Sequence, residues 1–254
     1  MYKILASTLF LGKEVIYMPS CHSTNDIAQE LVRKYDKSEG TIVITDEQTK
    51  GRGQRGNNWD TEAGKNLTFS LILKPRFLNA TKQFYLNMAV SLAIAESVET
   101  QLKSDQIQIK WPNDLLINKH KVCGILIENS LAGSVIGSSV VGVGLNVNQE
   151  NFALPFATSL RQVSGEQYEL TAYLEKLVLL LEKYYLILKA GDFTSLKEQY
   201  FARLYGYKSA IKLKCEYEFV GQIIDLDEYG RLVVEEKDSR HVFDFKEVRF
   251  ILTE

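Results

Sequence analysis

The sequence predicts an α+β fold, a mixed and mainly antiparallel sheet flanked by helices, with a small all-β unit at the C-terminus. Three observations carry this. Strand-like segments crowd residues 40–148 with one helical stretch among them, helical periodicity dominates 170–204, and beyond Tyr207 the chain turns to short alternating strands. A chain of 254 residues suffices for one large core and a satellite, because single cores stop growing near about 250 residues. The expected division is 1–206 and 207–254.

Taken in order, "STND" (23–26) is a helix start, with Ser23 as cap and Ile27, Ala28 and Leu31 following at helical spacing. "GTIVITDEQ" (40–48) is β-branched and bounded by Gly40, hence a buried strand; "NLTFSLILKP" (66–75) is another, stopped by Pro75. Thr49–Lys65 between them is a long loop, a length that in compact domains is usually either functional or disordered. Ala, Leu, Met and Val recur helically over Thr81–Leu102. "QIQIKWPNDLLIN", "KVCGILIENS" and "SVIGSSVVGVGLNVN" read as strands joined by turns, and 170–189 as an amphipathic helix closed by Gly191, with another over 192–204. The last 50 or so residues hold five short strands, a small barrel or sandwich near the lower limit of independent stability that is expected to lean on the main unit.

Composition excludes several classes. Apolar residues make up 45%, charged residues 24%, and the formal net charge is −2, so overall charge advertises no nucleic-acid partner. Cys21, Cys123 and Cys215 lie far apart without metal-ligand spacing, which points to a reducing, cytoplasmic setting. The N-terminal "MYKILASTLFLGKEVIY" lacks a signal-peptide cleavage site, and the uncharged run 129–149 is too rich in Gly, Ser and Asn for a membrane span.

"GRGQRGNNWD" (51–60) fits the letters of a dinucleotide turn but not its context. A helix must follow the glycines and an acidic residue must lie about 20 positions on; Asn57, Asn58 and Gly64 break a helix, and 64–94 holds no Asp or Glu. A Walker loop fails too, because no Ser or Thr follows Lys65. What remains is a glycine-rich loop with Lys50, Arg52 and Arg55, suited to phosphate oxygens; a solvated basic loop is the other reading.

In "KWPNDLLINKHKVCGILIE" (110–128), Pro112 makes a rigid extended turn expected to aim Asn113 and Asp114 outward. Lys121 opens the next strand, so a hairpin brings it to the same sheet end as Asp114, a pair that suits phosphate neutralisation or steering of an amine. Lys110 is expected to be a surface charge.

"STND", "DEQTKGRGQRGNNW", "KWPNDLLINKHKVCGILIE", "GVGLNVN" and "ATSL" occur in the order and spacing of biotin protein ligases, and the sequence resembles that family from about residue 15 to its C-terminus. The resemblance implies the biotin/lipoate ligase catalytic fold with an SH3-like C-terminal barrel. It implies that biotin and ATP form biotinyl-5'-AMP and pyrophosphate, and that biotin then passes to one lysine of a biotin carboxyl carrier domain such as that of acetyl-CoA carboxylase. Ser23, Thr24, Asn25, Gln48, Gly53, Arg55, Lys121 and Gly124 would then hold biotin. Gly51, Arg52, Gln54, Arg55, Gly56, Trp59, Asn113 and Asn146 would line the nucleotide side. Lys121, Arg52 and Asp114 would carry the chemistry, with Asp114 also near Mg²⁺. None of the three histidines falls on a catalytic position of the family.

Two departures matter. The family's loop usually reads G-R-G-R, but position 54 is Gln, so the adenylate is expected to be held less tightly. Gln54→Arg should slow its release, and equal off-rates for the two proteins would sink the idea. Some relatives carry an N-terminal helix-turn-helix, yet only about 20 residues precede "STN", so no sequence-specific DNA binding is expected. A gel shift that survives competitor DNA would overturn that. Rival readings are lipoate ligation, whose dithiolane suits Ser23, Thr24 and Asn25 less well than a ureido group, and a non-catalytic biotin or adenylate sensor, which needs neither Lys121 nor Asp114. Edge strands suit either a homodimer or the carrier.

Overall fold

A computed structural model describes residues 7–102, 106–237 and 239–252; the side chain of Arg55 lies outside the described set. Seven strands form the main sheet: β1 (Val15–Cys21), β2 (Ile42–Gln48), β3 (Leu67–Leu73), β4 (Ile107–Lys110), β5 (Asp114–Ile117), β6 (His120–Ala132) and β7 (Val135–Leu145). Their order is β1-β2-β3-β7-β6-β5-β4. Only β1 and β2 run parallel, because helix α1 (Thr24–Tyr35) carries the chain back between them; every other neighbouring pair is antiparallel.

Period-two alternation decides which face each strand residue serves. Val43 of β2 joins Ala28, Ile72 and Val140 under α1, whereas Ile42 and Ile44 belong to the large core on the other face. That core takes in α2 (Phe84–Glu99), α4 (Leu170–Lys189) and α5 (Phe193–Arg203). Helix α2 is apolar nearly all round because α4, α5 and β4 cover it, so its burial comes from position and not from an amphipathic stripe. It starts later than the periodicity suggests: Ala80–Lys82 form a 3₁₀ turn capped by Asn79 before the α-helix begins.

Strand β1 and the one-turn helix α3 (Leu160–Ser164) are not anticipated by the sequence. Pro19 inside "VIYMPSC" reads against a strand but is tolerated here because β1 is an edge strand, and a single helical turn is too short to show a period. The segment before β1 is held from far away in the chain. The buried carboxylate of Glu182 in α4 accepts the backbone N–H groups of Leu9, Phe10 and Leu11 at 2.7, 2.8 and 3.0 Å.

The C-terminal strands are β8 (Ala210–Lys214), β9 (Glu218–Leu226), β10 (Leu232–Glu236), β11 (Ser239–Phe243) and β12 (Arg249–Phe250), in the antiparallel order β11-β10-β9-β8-β12. Among the described residues no pairing joins β11 to β12, so the unit is an open SH3-like sheet where a barrel or sandwich was expected. It does lean on the main unit. Trp111, fully buried, donates its Nε1–H to the carbonyl of Gly230 at 2.9 Å, and Phe245 packs against Trp111 and Phe84 with ring centroids 5.3 and 6.3 Å apart. The tryptophan of "KWPND" is thus the pin that seats the small sheet over the end of the large one.

Candidate active site

A cavity of about 540 Å³ opens where the start of α1, the first half of β6, the end of β7, the 52–59 loop, the β4–β5 turn and the small sheet meet. Its floor is bare backbone. Gly124 and Gly144 face each other across β6 and β7, and Gly142 lies two residues from Gly144, on the same face. A Cβ at Gly144 would sit 2.2 Å from the Trp59 indole, and one at Gly142 would sit 2.2 Å from Asn25 Oδ1. The slot exists because three side chains are missing. Only Gly124 of these glycines was singled out from the sequence; the signal for the others was the i, i+2 spacing in "GVG".

One end of the slot is a buried network of neutral polar side chains, bordered by the Glu128 carboxylate. Ser23 caps α1, its Oγ accepting from the N–H of Asp26, so capping explains Ser23. It does not explain Thr24 and Asn25, which are buried against the sheet. Gln48 Oε1, at the end of β2, accepts from the N–H and hydroxyl of Thr24 at 2.8 and 3.2 Å. Ser70 Oγ, fully buried on β3, lies 2.7 Å from Thr24 Oγ1 and 2.6 Å from Asn25 Oδ1. Asn25 Oδ1 can only accept, so Ser70 must donate to it. Asn25 Nδ2 donates to Glu128 at 2.8 Å. Ser70 was missed in the sequence because a lone serine in an apolar strand carries no pattern.

The other end is charged. The turn between β4 and β5, with a cis Trp111–Pro112 bond, does not aim Asn113 and Asp114 outward as expected. Asn113 Nδ2 donates to the carbonyl of Ile125 at 2.7 Å, and the Asp114 side chain is 13% exposed between two lysines, with Lys121 Nζ 2.6 Å from Oδ1 and Lys110 Nζ 2.6 Å from Oδ2. Lys110 is therefore not a surface charge. It is the direct cross-strand partner of Asp114 in the β4–β5 register, which places the two side chains together. Burial works against ionisation of Asp114, but Lys121 and Lys110 outweigh it and hold its carboxyl below the ordinary range. The three groups sum to one positive charge. Each Asp114 carboxylate oxygen is engaged by an ammonium, and no group of three or more His, Cys, Asp or Glu that could hold a metal ion occurs among the described residues.

The glycine-arginine loop forms a compact turn. Arg52 bridges Asn58, Gly53 N donates to Asn57 O, Trp59 N donates to Gly51 O, and Gln54–Gly56 make a 3₁₀ turn. No α-helix follows the glycines, which disposes of the dinucleotide reading. Gly51 is required because a Cβ there would lie 2.1 Å from the Trp59 carbonyl. Gly53, Gln54 and Trp59 line the cavity; Gly51, Gly56 and Asn146 do not, Asn146 being buried with Nδ2 on the Thr158 carbonyl at 3.0 Å. Arg55 lies outside the described side chains. Arg52 lines the cavity with its guanidinium paired to Asp26 at 2.6 Å and Glu128 at 3.0 Å. The Trp59 indole lies over the glycine floor, 5.4 Å from Lys121 Nζ, and its buried Nε1 has no hydrogen-bond partner.

The small sheet supplies the remaining wall with Lys246, Val248, Arg249 and Phe250. No local pattern marks these residues; they reach the cavity because Trp111 and Phe245 dock the sheet there.

Comparison with known proteins gives a consistent result. The sequence pattern of the biotin/lipoate A/B protein ligase family matches residues 17–146. The bifunctional ligase/repressor BirA of Bacillus spizizenii is 32% identical over 239 residues, covering 91% of this chain and 72% of that protein. The biotin–(acetyl-CoA-carboxylase) ligase of Mycobacterium tuberculosis is 29% identical over 202 residues, 78% of this chain and 74% of that one. The biotin protein ligase of Aquifex aeolicus, solved in complex with biotin and ATP, matches with a TM-score of 0.78 at 25% identity over 95% of this chain and 100% of that chain. No described helix is long and apolar enough to cross a membrane.

Proposed function

The chain belongs to the biotin/lipoate A/B protein ligase family, and we propose that it activates biotin with ATP and transfers it to a lysine of a biotin carboxyl carrier domain. In the first step a biotin carboxylate oxygen attacks the α-phosphorus of ATP, the α–β anhydride bond breaks, and pyrophosphate leaves. In the second, the neutral carrier amine attacks the acyl carbon, an amide forms as the amine's proton passes to solvent, and AMP leaves with the bonding pair.

The observation that carries this reading is the two-ended cavity: a neutral, buried set of donors and acceptors around Thr24, Asn25, Gln48 and Ser70 at one end, and a net cation at Lys110, Asp114 and Lys121 at the other. A ureido ring uses the first and the meeting of carboxylate with phosphate uses the second; a dithiolane has no partner for the amide and hydroxyls. Bringing two anions together makes the barrier mostly electrostatic, so Lys121, preset against Asp114, contributes where charge accumulates. Asp114, held ionised, is a weak base, and its role is to aim Lys121 and the incoming amine. Ser23, Gly53 and Gly124 complete the biotin side, with Gln54, Trp59 and Asn113 on the nucleotide side. Residues 1–206 would hold these groups and 207–254 would close over them. Mg²⁺ would enter as part of MgATP. Three free thiols, with Cys123 buried and its thiol pushed far up by desolvation, suit a reducing cytoplasm.

The test is mass spectrometry of the purified protein with MgATP and either biotin or lipoate. Biotinyl-adenylate alone is expected; lipoyl-adenylate alone would move the chain to the lipoate branch, and neither product would leave a sensor. A second readout is fluorescence. Of the two tryptophans, Trp111 is held in the cavity wall by its bond to Gly230 and Trp59 lies over the glycine floor, so binding that lifts Trp59 from that floor should change emission. Trp59→Phe should remove most of the change, and an unaltered signal in that variant would show that Trp59 does not report the site.

A further inference from the structure

We infer that Glu128 is a positioning residue that couples the reading of the ureido group to closure of the 51–59 loop, an inference that rests on the biotin reading above for its substrate arm only. The Glu128 carboxylate sits on β6, one strand from the glycine floor of β7, and does two things at once. It accepts from Asn25 Nδ2 at 2.8 Å, and it receives Arg52 Nη2 at 3.0 and 3.2 Å. The same Nη2 reaches Asp26 Oδ1 at 2.6 Å, so the start of the loop is tied to α1 and β6 together.

The consequence for Asn25 follows from hydrogen-bond capacity. A primary amide has two orientations, and in an uncharged pocket both can be populated. A carboxylate only accepts, so Glu128 forces the NH₂ group toward itself and turns Oδ1 toward Ser70, which donates to it at 2.6 Å. The carbonyl of Leu126, 3.3 Å from Nδ2, supports the same orientation more weakly. The pattern of donors and acceptors that Asn25 offers a ligand is thereby set by a residue 103 positions away in sequence.

For the loop, Asp26 and Glu128 turn the Arg52 cation into a tether. Two carboxylates around one guanidinium leave it little charge to offer a phosphate, so Arg52 acts through the loop it holds, and Lys121 carries the electrostatic work. A loop held at Arg52 covers the cavity without having to be ordered from scratch by the ligand.

Glu128 has two functions that three variants separate. Glu128→Gln keeps an acceptor for Asn25 but removes the charge facing Arg52; Glu128→Ala removes both; Asp26→Asn weakens the tether and leaves Asn25 untouched. Hydrogen exchange of the loop amides in the ligand-free protein reads the tether, with acceleration of about 2- to 5-fold expected in all three because the ion pairs are partly exposed. The KM for biotin reads Asn25: it should rise about 10-fold or more in Glu128→Ala and stay within about threefold in Glu128→Gln and Asp26→Asn. Unchanged loop exchange in Asp26→Asn and Glu128→Gln overturns the tether. Equal KM values in Glu128→Gln and Glu128→Ala overturn the coupling to Asn25. The exchange arm needs no substrate, so it stands even where the biotin reading fails.

Discussion

Replacing Lys121 by alanine slows biotinyl-adenylate formation by about 10- to 150-fold, the loss of a charge-assisted contact worth ~1.5–3 kcal/mol in the transition state. The backbone around Lys121 does not depend on its side chain. Its N–H donates to the Phe156 carbonyl at 2.7 Å and its carbonyl accepts from Thr158 at 2.9 Å, so the "ATSL" segment holds the position and the variant should fold. Asp114 keeps Lys110 as a partner, so no charge is left buried alone. Single-turnover adenylation with saturating MgATP and biotin is the measurement, and a near wild-type rate would remove Lys121 from the mechanism. Lys121→Arg should recover only part of the rate, because the planar guanidinium keeps the charge but not the point geometry that meets Asp114 Oδ1. Asp114 does not supply the pH dependence. Its folded pKa is lowered from 3.8, so its contribution to stability is present above that value and disappears only as pH falls through the lower folded one.

Replacing Gly142 by alanine raises the KM for biotin by about 5- to 150-fold while leaving the β3–β7–β6 ladder in place. The added Cβ would lie 2.2 Å from Asn25 Oδ1 and 2.9 Å from its Cγ, well inside contact distance. Asn25 cannot simply swing away, since Ser70, Glu128 and the Leu126 carbonyl hold it on three sides. Either the amide is expelled, leaving buried partners unsatisfied at about 1–3 kcal/mol, or the start of α1 is pushed off the sheet. Steady-state kinetics at varied biotin, beside a thermal unfolding curve, separates the two. A raised KM with a loss of stability no larger than about 1–3 kcal/mol is the expected pattern, and an unchanged KM would mean that Asn25 does not contact the ligand.

Much of this site was readable before the structure because its parts are local. "STND" is a short helix start, and the glycine-arginine loop, "KWPND" and Lys121 are short segments whose turn chemistry and spacing point to anion handling; residues of all of them border one cavity. A hairpin's register is needed to see that Asp114 and Lys110 are cross-strand partners, so the sequence alone predicts an outward Asp114 and a solvated Lys110 where the structure pairs them. Strand β1 was hidden by Pro19, whose tolerance depends on β1 lying at the sheet edge.

The sequence by itself determined the class of fold, the rejection of both nucleotide motifs and the family resemblance, since periodicity, glycine placement and motif spacing act over a few residues. Tertiary structure alone decided that Ser70 stands behind Asn25, that Glu128 meets Arg52 across 76 residues, and that Trp111 seats the small sheet on Gly230 across 119, bringing Lys246 and Arg249 to the cavity wall. Such contacts leave no local trace. Each partner's identity is compatible with many environments, and only sheet order and docking select one.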